Sequence, residues 1–86
     1  MTKVEIYTRF MCPYCSRALS LLRSKGAKVT EYDATLDSDL KRTMIVRASG
    51  GATFPQIFID EKHIGGCDDL IALDRAGGLE PLLSKG

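Results

Sequence analysis

The chain has 86 residues, of which 44% are hydrophobic and 27% charged, so we expect residues 1–86 to form one small globular domain rather than a disordered chain. Its formal net charge of +1 gives no general attraction to nucleic acid or to an anionic membrane surface, and we expect neither as a partner. No apolar segment approaches the length of a membrane-spanning helix.

The N-terminal segment and the cysteine content both favour a reducing compartment. The segment MTKVEIYTRF soon enters an alternating pattern and lacks the charged, long apolar and small-residue sections of a secretory signal. The chain has three cysteines, an odd number, whereas small secreted domains usually carry several even pairs. We therefore expect a cytoplasmic protein, in which a Cys-x-x-Cys pair is more often redox-active or metal-binding than structural.

The first half of the chain has the pattern of a strand, a helix and a second strand. Residues 3–8 alternate, which predicts a strand with Val4 and Ile6 on one face. Apolar residues of the next segment recur at helical spacing up to Gly26, a residue typical of helix ends. Residues 28–33 predict a second strand, and because one helix joins the two strands we expect them to be parallel.

The second half has the pattern of a helix, a hairpin and a further helix. A cap at Asp37 or Ser38 is expected to begin the helix. Three apolar residues then recur one helical turn apart: Leu40, Met44 and Ala48. The segment FPQIFID predicts a strand, EK a tight turn and HI a short fourth strand, after which Asp68 or Asp69 is expected to cap a third helix. This order implies an α/β fold with a small mixed sheet covered by helices.

The segment RFMCPYCSRAL places Cys12 where the first strand gives way to the first helix. Pro13 suits the first helical turn, because its missing N–H is not needed there. A side chain at this point faces unpaired backbone N–H groups and the positive end of the helix dipole, and both stabilise a thiolate. Because the thiolate is the attacking species, Cys12 is predicted to be the nucleophile and Cys15, one turn further on, the resolving cysteine.

Two other functions of the cysteine pair stay open at this point. A structural disulfide is disfavoured in a reducing compartment. A zinc site is the more serious alternative, since Cys12-x-x-Cys15 and His63-x-x-x-Cys67 together supply four zinc ligands. Against it, Pro13 fits a helix start better than a metal-binding turn, and the chain has enough apolar residues to fold without metal.

Three motifs in this order and spacing resemble the glutaredoxins, and the resemblance runs from Val4 to Leu83. They are CPYC at a helix start, TFPQIFID around an isolated proline, and HIGGCDDL soon afterwards. The resemblance is closest to the short bacterial dithiol type. It implies a thioredoxin-like fold, with a four-stranded mixed sheet of order 2-1-3-4 flanked by helices. It also implies an enzyme that uses glutathione as co-substrate, with no bound cofactor, to reduce protein disulfides and protein–glutathione mixed disulfides.

The resemblance further implies which residues bind glutathione. The loop 53–55 matches a Thr-Val-Pro loop that faces the cysteines and has a cis proline. Two arginines match positions that hold the glycine carboxylate, and the segment 67–69 opens a helix whose free N–H groups suit the γ-glutamyl carboxylate. The full set is Arg9, Tyr14, Arg42, Thr53, Phe54, Pro55, Cys67, Asp68 and Asp69.

The chain also departs from the family pattern. Phe54 stands where Val is common, Gly51 and Ala52 stand where an arginine or lysine often precedes the loop, and Met11 is unusual before Cys12. These departures concern glutathione affinity and substrate preference rather than the type of reaction.

The resemblance implies disulfide-containing or glutathionylated proteins as partners, with ribonucleotide reductase among the candidates, and we expect a monomer. The alternative function is a metal-binding module, either the zinc site or an iron–sulfur cluster bridged between two chains by Cys12 and glutathione. Cluster-binding relatives more often have a single cysteine or a small residue in place of Pro13. A thioredoxin is disfavoured because the chain contains no tryptophan and therefore no Trp-Cys-Gly-Pro-Cys motif.

Overall fold

The computed structural model describes residues 2–84, which form four strands and four helices, one helix more than the patterns above predict. In chain order they are β1 (Val4–Thr8), α1 (Pro13–Ser24), β2 (Val29–Asp33), α2 (Ser38–Arg47), β3 (Gln56–Ile59), β4 (Lys62–Gly65), α3 (Cys67–Arg75) and α4 (Leu79–Leu83). The strands form one sheet in the order β2-β1-β3-β4. β1 is parallel to β2, and the other two pairings are antiparallel. This confirms the mixed sheet and the thioredoxin-like strand order that were predicted.

β1 lies in the middle of the sheet and is buried on both faces. All five of its residues are buried. Val4 and Ile6 pack into one apolar core and Tyr7 into another, so the predicted alternation is confirmed. The sheet therefore separates two layers of helices.

Each face of the sheet has its own core. The larger core joins α1, α3 and α4 to the sheet through Val4, Ile6, Ala18, Leu22, Ile57, Ile59, Cys67, Leu70 and Leu79. The smaller core lies under α2 and contains Tyr7, Met44, Ala48 and Phe58. Leu40 packs against it, which confirms the apolar face predicted for α2. None of the helices in the described part of the chain has the length and apolar character that crossing a bilayer requires.

The hairpin differs from the prediction at its turn. Asp60 and Glu61 form the turn, with φ of +48° and +68°, so Lys62 already belongs to β4. Two residues with positive φ match the twist of an antiparallel hairpin. β3 begins only at Gln56, because Pro55 has no N–H to donate to the strand ladder.

The predicted cap of the third helix is wrong. Gly66 is the N-cap of α3, and Cys67 is its first helical residue. Asp69 acts from inside the helix, where its carboxylate accepts a hydrogen bond from the Gly66 N–H at 3.0 Å. α2, in contrast, does begin after Asp37, whose carboxylate accepts hydrogen bonds from the N–H groups of Asp39 and Leu40.

A buried ion pair joins β1 to α2. Glu5 is 3% exposed, and its carboxylate accepts hydrogen bonds from the Arg47 guanidinium at 2.8 and 3.1 Å and from the Tyr32 hydroxyl at 2.9 Å. Arg47 also donates to the Tyr7 hydroxyl at 3.0 Å, and its guanidinium carbon lies 4.1 Å from the centroid of the Phe58 ring. These partners replace the water that both charges lose on burial.

We expect Glu5→Gln to lower the free energy of unfolding by roughly 2 kcal/mol at neutral pH, because it leaves Arg47 with the exposed Glu61 carboxylate as its remaining charged partner. The hydrogen bonds from Arg47 hold the pKa of Glu5 below its ordinary value of 4.5. A carboxyl with a lower pKa in the folded state adds stability above its unfolded pKa, and this stability is lost as the pH falls through the folded pKa. Urea unfolding of the variant should therefore show a weaker loss of stability in acid than the wild type shows.

The matched control is Glu61→Gln, which removes the exposed carboxylate that also pairs with Arg47, at 3.1 Å. We expect it to cost less than about 1 kcal/mol. An equal loss of stability in the two variants would contradict the importance assigned to the buried pair.

Candidate active site

Cys12 is the N-cap residue of α1 and follows β1 by a short connection. Its Sγ accepts a hydrogen bond from the Cys15 backbone N–H at 3.2 Å, one of the donors that a helix start leaves unpaired. Pro13 occupies the first helical position, where no N–H is required. The helix start thus presents hydrogen-bond donors to the Cys12 sulfur while leaving it partly exposed.

Cys15 is in a different environment from Cys12. Its side chain is 3% exposed, and both cysteines are free thiols. Burial, and after it the hydrogen bond with Cys12, raise the pKa of Cys15 to about 12. Cys15 is therefore a protonated, shielded thiol at neutral pH.

The loop before β3 lies against Cys12. Its Phe54–Pro55 peptide bond is cis, as the resemblance implies. The Phe54 carbonyl oxygen lies 3.9 Å from Cys12 Sγ, within the range of a weak S–H···O contact. On the other side of Phe54, the Arg9 guanidinium carbon lies 5.8 Å from the ring centroid. Backbone polar groups of this loop are thus placed beside the reactive sulfur.

A pocket of about 330 Å³, a volume within the range of small-molecule sites, opens at the start of α1, where Tyr14 lines it. Cys12 and Cys15 line a second groove instead. The pocket brings together most of the residues to which the resemblance gives a glutathione-binding role: Tyr14, Thr53, Phe54, Pro55, Cys67, Asp68 and Asp69. Four further residues line it: Gln56, His63, Gly65 and Gly66. The pocket therefore lies between the start of α1, the cis-proline loop and the start of α3.

The start of α3 is shaped by Gly65. This residue has φ +116°, a conformation that favours glycine. A Cβ at this position would collide with the Asp69 carboxylate, which holds the Gly66 N–H. Burial raises the pKa of the Cys67 thiol, and the neighbouring Asp68 side chain is exposed. The helix start thus faces the pocket with two exposed acidic residues, of which Asp69 accepts the hydrogen bond from the Gly66 N–H.

Arg9 and Arg42 do not line this pocket. Arg42 is exposed on α2 and pairs with Asp39 at 3.2 Å. Arg9 lines the second groove, of about 430 Å³, together with Cys12 and the exposed side chains of Phe10 and Met11. Their assignment to the glycine carboxylate stays a prediction.

Gln56 was not predicted as a site residue, and His63 was predicted only as part of a short strand or as a zinc ligand. The Gln56 amide is buried between Thr53 and His63, with which it makes hydrogen bonds. The register of the hairpin could have identified the contact between Gln56 and His63, because it pairs His63 with Phe58, two positions along β3 from Gln56. Placing the turn one residue too late hid this pairing.

The zinc alternative has no geometric support in the described part of the chain. The His63 Nε2 lies 2.6 Å from the Gln56 Oε1, and its ring stacks on Phe58. Within residues 2–84 no group of three or more histidine, cysteine, aspartate or glutamate side chains is arranged to hold a metal ion.

Comparison with known proteins identifies the family. The glutaredoxin family model matches residues 4–64. The chain is 56% identical to glutaredoxin 3 of Escherichia coli over 84 residues, which cover 96% of this chain and 99% of that protein.

Two solved structures give the same result. The solution structure of glutaredoxin from Brucella melitensis matches with a TM-score of 0.83 at 54% identity, over 96% of this chain and 89% of that one. A crystal structure of a buckwheat glutaredoxin–glutathione complex matches with a TM-score of 0.84 at 32% identity, over 96% of this chain and 77% of that one. The chain therefore belongs to the glutaredoxin family of glutathione-dependent thiol–disulfide oxidoreductases.

Proposed function

We propose that this chain reduces protein disulfides and protein–glutathione mixed disulfides, with Cys12 as nucleophile and Cys15 as resolving thiol. The observation that supports this division of roles is the contrast between the two sulfurs. Cys12 is partly exposed and accepts a backbone hydrogen bond at the helix start, whereas Cys15 is buried with its pKa raised to about 12. The exposed sulfur can reach a substrate, and the buried one can reach only Cys12.

The first exchange forms one disulfide and breaks another. The Cys12 thiolate attacks the glutathione sulfur of a mixed disulfide, and the target cysteine leaves as a thiolate that takes up a proton. A second glutathione thiolate then attacks the glutathione sulfur bound to Cys12, which releases oxidised glutathione and restores Cys12. In the net reaction, one glutathione and the mixed disulfide become oxidised glutathione and the free thiol of the target.

Protein disulfides take the dithiol route. Cys12 attacks one sulfur of the substrate and becomes joined to it, and the other substrate sulfur leaves as a thiolate. Cys15 then loses its proton and attacks the Cys12 sulfur, which releases the reduced substrate and leaves a Cys12–Cys15 disulfide. Two molecules of glutathione reduce this disulfide and become oxidised glutathione.

Glutathione is proposed to lie in the pocket at the start of α1. The N–H groups at the start of α3 suit its γ-glutamyl carboxylate, and the exposed Asp68 carboxylate suits its amine. The Phe54 backbone, next to Cys12 Sγ, is positioned for the cysteine part of the tripeptide. The buckwheat glutaredoxin in complex with glutathione supports this choice of ligand. Arg9 and Arg42 remain the proposed partners of the glycine carboxylate.

The targets that this function implies are disulfide-containing or glutathionylated proteins. A reducing, cytoplasmic setting suits a chain whose three cysteines are all free. A monomer is sufficient for the reaction, because both cysteines and the pocket belong to one chain.

Alkylation tests the contrast between the thiols. In the native protein at neutral pH, we expect iodoacetamide to modify Cys12 and neither of the other two cysteines. Burial raises the pKa values of Cys15 and Cys67, so both remain unreactive thiols. Peptide mass spectrometry identifies the modified site. In the unfolded protein all three should react, which is the control. Modification of Cys15 as fast as Cys12 in the native protein would contradict the assignment.

Cysteine variants test the mechanism. We expect Cys12→Ser to lose glutathione-dependent reduction of both substrate types, because no exposed sulfur remains in the site. Cys15→Ser should still remove glutathione from a glutathionylated peptide but lose the dithiol reduction of a protein disulfide. Full activity of Cys12→Ser on either substrate would disprove the proposed nucleophile.

Asp68→Asn tests the glutathione site. Removing the charge that is proposed to meet the glutathione amine should raise the KM for glutathione about 3- to 5-fold, since the carboxylate is exposed and its interaction is screened. The matched control is Asp74→Asn in the last turns of α3, where the carboxylate pairs with Lys25 at 3.1 Å. Equal KM values for the wild type and Asp68→Asn would argue against this placement of glutathione.

A further inference from the structure

We propose that His63 and Gln56 are positioning residues that fix the Thr53 hydroxyl as a hydrogen-bond donor to the glutathione moiety in the pocket. The proposal rests on the glutathione-dependent function proposed above. It assigns a role to the two polar side chains of the pocket that the mechanism has not used.

The three residues form a continuous chain of hydrogen bonds. The His63 Nε2 lies 2.6 Å from the Gln56 Oε1, and the Gln56 Nε2 donates to the Thr53 Oγ1 at 3.2 Å. Gln56 is 5% exposed, so its amide depends on these partners rather than on water. All three residues line the pocket.

The direction of these hydrogen bonds follows from the orientation of the Gln56 amide, which places its oxygen toward His63 and its NH₂ group toward Thr53. An amide oxygen only accepts, so His63 must donate through an Nε2–H. If the neutral imidazole carried its proton on Nδ1, the lone pairs of His63 Nε2 and Gln56 Oε1 would face each other across the 2.6 Å between these atoms, which is repulsive. The imidazolium also carries an Nε2–H, so His63 donates in both of its protonation states. The Gln56 NH₂ group only donates, and the Thr53 oxygen therefore accepts.

A hydroxyl that accepts one hydrogen bond still has its own proton to donate. Within residues 2–84 no acceptor takes the Thr53 proton, and the residue is exposed to the pocket. The next residue, Phe54, has its carbonyl oxygen 3.9 Å from Cys12 Sγ. A ligand whose sulfur is joined to Cys12 and which carries oxygen acceptors nearby, as the peptide carbonyls of glutathione do, suits this donor.

The surroundings hold the chain of hydrogen bonds in place. The His63 ring stacks on Phe58 with centroids 5.0 Å apart, and Phe58 is 1% exposed in the smaller core. Gly51 leaves room for the Gln56 amide, because a Cβ there would lie 3.1 Å from Gln56 Nε2. His63, although exposed, is thus held by stacking on Phe58 and by its hydrogen bond to Gln56, and Gln56 is held in a close-fitting space.

A double-mutant cycle in the full chain tests the proposal. Thr53→Val removes the hydroxyl with little change of shape, and His63→Phe keeps a ring on Phe58 but removes the N–H. We expect each variant to raise the KM for a glutathionylated peptide about 3- to 10-fold, with a smaller effect on kcat. The double variant should be no worse than Thr53→Val alone, since His63 is proposed to act only through the hydroxyl that Thr53→Val has already removed. Thr53→Ser, which keeps a hydroxyl, should restore the wild-type KM.

NMR provides a readout that does not depend on activity. Long-range ¹H–¹⁵N spectra should show the Nε2–H tautomer for neutral His63, and Thr53→Val should shift the Gln56 side-chain NH₂ resonances. The Nδ1–H tautomer, or effects on KM that multiply in the double variant, would overturn the proposal that His63 and Gln56 position the Thr53 hydroxyl. A wild type without any glutathione-dependent activity would instead overturn the proposed function and the assigned ligand with it, whatever the tautomer of His63.

Discussion

The hydrogen bonds that β1 makes with its two neighbours bring the parts of the site to one end of the sheet. Because β3 runs antiparallel to β1, Tyr7 near the end of β1 pairs with Gln56 at the start of β3. The segment after β1 contains Cys12, and the segment before β3 contains the cis-proline loop, so the two meet. β4 adds Gly65 opposite Ile57, which places the start of α3 at the same end.

The two faces of the sheet stabilise this end in different ways. On one face, the apolar core packs α1 and α3 side by side and includes Cys67. Burial raises the pKa values of both Cys15 and Cys67. On the other face, the Glu5–Arg47 pair ties α2 to β1 and extends over Phe58, on which His63 stacks. Contacts therefore run from the buried charge to the cis-proline loop through His63 and Gln56.

The sequence predicted most accurately those features that depend on residues close together in the chain. Cys12 followed by Pro13 marked the beginning of α1, and the spacing of Leu40, Met44 and Ala48 marked the buried side of α2. The wrong predictions concern the cap of α3 and the hairpin turn, where several adjacent residues could each have served. Gly66 rather than an aspartate caps α3, and Asp60 with Glu61 forms the turn that was placed one residue later.

The order of elements and the helix-start position of Cys12 could be derived from local chemistry, because a cap, a periodic stripe or a turn involves residues within a few positions of one another. The family was indicated by the resemblance of three motifs. Partners distant in the chain were not predictable from local chemistry. Glu5 and Arg47 lie 42 residues apart, and neither was predicted to pair. The contact between Gln56 and His63, and the position of Arg9 and Arg42 outside the pocket, likewise depend on strand register and helix packing, which place side chains that no local pattern relates.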